Sequence, residues 1–144
     1  MRAPTQTSSA LAPPEALVCT MVLVAAADRG MTDREIGVMS NQVQGLPVFH
    51  DFTPARLAAA SDATVRLLGE TDGLAHAGRL IRAALGPRLR ETAYVLACEV
   101  AAADPVEKPD TGRMLDVIRA ELQLDPLIAA ALERGVRARY QTEG

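Results

Sequence analysis

The chain has no tryptophan, and only two phenylalanines and two tyrosines in 144 residues. Platforms for stacking bases are therefore scarce. A net charge of −3 and a pI near 5.4 add no general attraction for a polyanion, so nucleic-acid binding would need a strongly segregated basic face. Cysteine is scarce too. Cys19 and Cys98 sit in separate apolar runs with no CxxC or Cys/His spacing, which excludes a disulfide framework and a zinc finger. They read as small buried hydrophobes of a cytoplasmic, reducing compartment. No apolar run reaches the ~20 residues that a membrane span needs. No stretch alternates with period two, and no glycine-rich turn follows a strand-like run, so a sheet, a Rossmann site and a P-loop have no support.

What the chain has in quantity is alanine, 26 residues of it, within a 49% hydrophobic composition. Alanine is the best helix former and lets helices approach closely. The length suits a single domain that buries about two-thirds of its unfolded surface. An all-α fold is expected.

The apolar run Ala16 to Val24 followed by Ala25-Ala26-Ala27 imitates a signal peptide. Arg2 is the only positive side chain ahead of it, and Pro13, Pro14 and Glu15 abut the run. A repeat argues more strongly for keeping this segment in the fold. Val24-Ala25-Ala26-Ala27-Asp28 recurs letter for letter as Val100-Ala101-Ala102-Ala103-Asp104, a shift of 76 positions.

Each copy reads as an apolar helix ending at the shared Asp, a short polar loop, and a more amphipathic helix. Thr32-Asp33-Arg34-Glu35 is a capping-box signature, opening a helix to about Val43 with Ile36 and Met39 on the same stripe. Lys108-Pro109-Asp110 opens its counterpart, lined by Met114, Leu115 and Ile118. Thr53-Pro54 and Asp125-Pro126 each start a third helix, to about Leu68 and Tyr140. An amphipathic stretch near Asp72 to Leu85 lies between the halves and is closed by Gly86-Pro87.

The expected architecture has about seven helices in an internally duplicated array. A helix apolar on every side must be surrounded by protein, so residues 15–28 and 89–104 are placed at the centre as a pseudo-twofold pair. Residues 1–13 read as a flexible tail and 14–144 as one domain. Its repeat halves cover about 14–69 and 89–141, joined by a middle helix at 71–86.

Catalysis finds little support. His50 lies in a connection and His76 on the middle helix, neither with a nucleophile at a motif spacing, and both read as structural. The two acidic loops are the functional candidates. One offers Asp28, Asp33 and Glu35, the other Asp104, Glu107 and Asp110. Converging carboxylates suit a hard divalent cation such as calcium or magnesium. The spacing is not that of an EF-hand, whose loop is about twelve residues long. The structural alternative is that Asp33 and Glu35 serve the first turn of a helix. Asp28 at the end of an apolar helix opposes the local dipole and needs another partner. Glu99, a carboxylate on an otherwise apolar helix, is expected at a rim or paired with Arg79, Arg82, Arg88 or Arg90. The middle-segment arginines and Arg134, Arg137 and Arg139 would form a basic face or a solvated surface.

The apolar helix ending in Ala26-Ala27-Asp28, with Glu35 seven positions on and a second copy at Ala102-Ala103-Asp104, resembles the tellurite-resistance protein B (TerB) family. The resemblance covers about residues 14–140. It departs from the family pattern at Arg29 and Pro105, where a glycine usually follows the Asp, and at Thr111, the position equivalent to Glu35. It implies an all-helical duplicated fold and a non-enzymatic role in tellurite resistance or general stress response. It also implies divalent-metal binding by the acidic turns, with calcium, magnesium or zinc as the ion, and a protein partner, including a membrane protein of a resistance system. The alternative from a different class is a helical docking module or homodimeric scaffold with no metal role.

Overall fold

The computed structural model describes residues 10–27, 30–104 and 108–144. The described residues form seven α-helices and no strand: α1 (Pro13–Ala25), α2 (Asp33–Gly45), α3 (Pro54–Leu68), α4 (Gly73–Ala84), α5 (Pro87–Ala102), α6 (Pro109–Glu121) and α7 (Pro126–Arg139). A single 3-10 turn at Pro47–Phe49 links α2 to α3.

Helix starts follow directly from the sequence. Proline occupies the first turn of α1, α3, α5, α6 and α7, where the missing N–H costs no intrahelical bond. At α2 the capping box forms in full: the Glu35 amide donates to Thr32 Oγ1 at 3.2 Å, and the Thr32 amide donates to Glu35 Oε1 at 2.8 Å. Asp125 accepts from the amides of Leu127 and Ile128 at the head of α7. The α3–α4 turn is tight enough to need glycine, since a Cβ on Gly73 would lie 2.1 Å from the Leu67 carbonyl oxygen.

All of α1 from Ala16 to Ala25 is buried, ten consecutive residues. Its one hydroxyl, on Thr20, donates back to the Ala16 carbonyl at 2.8 Å. Each large side chain such as Leu17 or Met21 contributes roughly 1.5–3 kcal/mol by leaving water. α5 is the second buried helix, from Ala93 through Val100 with only Val95 partly exposed. These two helices form the most extensive pair in the fold. α3 packs on α1 as α7 packs on α5, and α6 reaches across to α1 as α2 reaches across to α5. The internal repeat is thus a pseudo-twofold arrangement about the α1–α5 pair. α4 breaks it, lying on α1, α3 and α6.

Two boundaries differ from expectation. The central helices stop at Ala25 and Ala102, short of the repeated Asp, with Ala26 and Ala103 as C-caps. α5 begins at Pro87, ahead of the expected start at 89: Gly86-Pro87 follows the end of α4 at Ala84, as expected, and the proline also sits in the first turn of the next helix. The expected tail lies outside the described residues from 1 to 9, and α1 already begins at Pro13. Among the described residues no helix is long and apolar enough to cross a membrane.

Candidate functional site

Of the six carboxylates assigned to the acidic loops, Asp28 and Glu107 lie outside the described residues. The other four are occupied by local structure or face solvent. Glu35 is only 4% exposed, and one of its oxygens holds the Thr32 amide. Asp33 is exposed in the first turn of α2, where its charge faces the positive helix end. Asp104 pairs with Lys108 at 3.0 Å, and Asp110 with Arg113 at 2.6 Å. Among the described residues no group of three or more His, Cys, Asp or Glu side chains is placed to hold a metal ion.

Thr20, Glu35 and Thr64 are buried in the first half and bond locally, whereas the second half buries a carboxylate within a network that joins distant helices. Glu99, 4% exposed, does not pair with the middle-segment arginines. Both its partners come from the C-terminal end of α7: Arg139 Nε donates to it at 2.9 Å and the Tyr140 hydroxyl at 2.5 Å. One turn earlier on α5 the Tyr94 hydroxyl donates to Glu133, which also receives Arg119 Nη1 at 3.3 Å. Arg119 in turn holds Asp116 at 2.9 Å. Burial, and then the bond to Glu99, push the Tyr140 hydroxyl up to about 12. Burial, and then the Glu133 charge, push the Cys98 thiol up to about 12. Burial likewise raises the Cys19 thiol, against a hydrogen bond from Thr64 that lowers it. Both cysteines stay protonated near neutrality and are poor nucleophiles. His50 is exposed beside Asp51, and His76 Nδ1 lies 3.5 Å from Glu70 at the surface.

No family model, curated protein or solved structure matches the chain. Its surface therefore has to supply the functional argument.

Two clefts flank α4. The first, of about 390 Å³, lies between α4 and α6 and is floored by Leu23 of α1. Leu74, Ile81, Val117 and Leu122 line it, and Asp72 and Glu121 stand on its rim. Arg82 holds the Glu121 carboxylate at 2.7 Å. Gly78 makes this geometry possible, since a Cβ there would lie 2.7 Å from the Glu121 side chain. Val117 remains 42% exposed. The second cleft, of about 530 Å³, lies between α1, α3 and α4 and includes Leu11, Cys19, Thr64, Leu67 and Leu80. Its edge is clamped by a two-bond contact of Arg56 with Glu15, both at 2.9 Å, and Arg56 also stacks 4.5 Å over the Phe52 ring.

Sequence reasoning missed the α4–α6 cleft. The middle stretch is amphipathic and Ile118 lies on the apolar face of α6, but nothing in either pattern shows that the two faces meet incompletely. The signal that was available is Gly78, a small residue in the middle of an amphipathic helix.

Proposed function

We propose that this chain is a non-enzymatic helical docking module, of the stress-response kind that the TerB resemblance implies. The observation that carries the reading is the apolar cleft between α4 and α6. It is lined by leucine, isoleucine and valine, leaves Val117 partly in solvent, and carries Asp72 and the Arg82–Glu121 pair at its rim. Exposed apolar grooves rimmed by polar groups are where partner helices dock. Val117→Asp places a charge in the groove without touching the α1–α5 core. Proteins retained from an extract by the immobilised chain, in chelator, should be lost with Val117→Asp and kept with His50→Ala. Identical retention by both variants would overturn the reading.

A cation-binding role for the acidic turns is the second reading. It rests on the TerB resemblance; Glu35, the one buried carboxylate of the first loop, already holds the Thr32 amide. Calcium, magnesium or zinc at millimolar concentration should then shift the backbone amide signals of both loops, and Asp28→Asn should remove the response. Unchanged spectra with all three ions would dispose of it.

A further inference from the structure

The groove has a candidate occupant on the surface of the same fold. α7 packs on α5 and turns a face outward that carries Leu127, Ala130, Ala131 and Arg134, all exposed. Leu127 is 79% exposed, the most exposed large apolar side chain among the described residues, and Ile128 beside it is 39% exposed. Arg134 and Arg137 follow on the next turns, both in solvent. The outward face of α7 is therefore apolar at its start and basic towards its end. The α4–α6 groove has an apolar floor, with Asp72 and the Arg82–Glu121 pair at its rim.

We infer that the groove binds the outward face of α7 from a second copy of this chain, forming a reciprocal dimer. The inference rests on the docking reading above and names its partner. Three observations support it. The exposure of Leu127 shows that it does not fill the groove of its own chain. Arg134 and Arg137 are opposite in sign to the exposed Asp72 on the rim and to Glu121, which they would share with Arg82, and this favours encounter. The groove and the head of α7 are also close along the chain: Leu122 lines the groove, and α7 begins at Pro126. A twofold axis near that corner lets each copy give its α7 and receive the other's.

Sedimentation equilibrium of the purified full chain, from micromolar to millimolar, tests this directly. A reversible dimer is expected, weakened by salt because exposed charges contribute. Leu127→Glu and Val117→Glu should each weaken it at least about tenfold, the effect of a lost buried anchor at an interface. An equimolar mixture of the two variants should associate more strongly than either alone, because one groove and one α7 remain intact in the mixed pair. Both positions are exposed, and circular dichroism checks that each variant keeps its helices. A chain that stays monomeric over the whole range, or a dimer indifferent to Leu127→Glu, overturns the inference. If the Val117-dependent capture from extract persists in a monomeric chain, the docking reading survives and only the second copy is excluded as the partner.

Discussion

The two halves of the molecule share a backbone plan and differ in how each buries its central helix. At Leu23, α1 is closed by apolar contacts: the side chain is floor to the groove, and α4 lies over it. The equivalent position on α5, by the repeat register, is Glu99. It is equally buried but is met by Arg139 and Tyr140. No described helix covers α5 as α4 covers α1. The end of α7 does so instead, with polar side chains. The same contrast runs through the aromatics. Phe49 and Phe52 pack edge to face in the first half at 5.3 Å, whereas both tyrosines, each donating to a carboxylate, are in the second. A duplicated fold can thus close equivalent surfaces by dispersion in one copy and by a satisfied polar network in the other. The second solution is viable only because every buried partner is present, and no buried side-chain nitrogen or oxygen among the described residues lacks one.

Exchanging the two chemistries tests the contrast most severely. Leu23→Glu buries a carboxylate with no Arg139 or Tyr140 to receive it, and should cost upwards of about 4 kcal/mol in urea unfolding. Alkaline pH should act next, and mainly on the second half. Cys98 and Tyr140 titrate higher in the folded chain than unfolded, from 9.0 and 10.0 respectively to about 12. Their stabilising contribution is complete below those ordinary values and is lost as pH climbs toward 12. Ultraviolet titration of tyrosine reads this half alone, and Tyr140→Phe should flatten the loss between pH 10 and 12. A smaller effect is expected from Glu35→Ala, which opens the capping box of α2 and should cost about 1 kcal/mol. The counterpart helix α6 starts from Lys108 with no side-chain cap, so it has no equivalent bond to lose. The smallest net effect is expected for Glu99→Leu, which copies the first half into the second. It should change stability by less than about 1 kcal/mol, because only the carboxylate is buried: Arg139, 67% exposed, and the exposed Tyr140 keep access to water once it is gone. Even so, it should return the Tyr140 hydroxyl toward its ordinary titration range. A large loss of stability in Glu99→Leu would show that the polar closure cannot be exchanged for an apolar one.

The sequence made the fold legible wherever the determinant was local. The Thr32–Glu35 box, Thr53-Pro54 and Asp125-Pro126 each start the helix assigned to them. The repeat identified the two buried helices, because a run such as Leu17 to Val24 has no face to offer water. A boundary shifted where one residue carries two signals: Pro87 is both a helix stop and a favoured first-turn residue, and the structure uses it as both, after α4 and at the head of α5. The partner of Glu99 was illegible for a different reason. Arg139 and Tyr140 lie some forty positions away, on a helix whose docking angle no local pattern encodes. Of the acidic residues, the role of Glu35 could be read from spacing alone. The pairing of Asp104 with Lys108 could not, because it depends on how the chain leaves α5.

The all-round burial of α1 also bears on the order in which the chain is made. α1 needs α3 on one side and α5 on another, and α5 begins only at Pro87. During synthesis the helix that anchors the finished core emerges well before its principal partner and waits for it. For that interval ten consecutive residues lack the cover that α5 provides, an apolar surface of the kind that makes incomplete chains prone to aggregate.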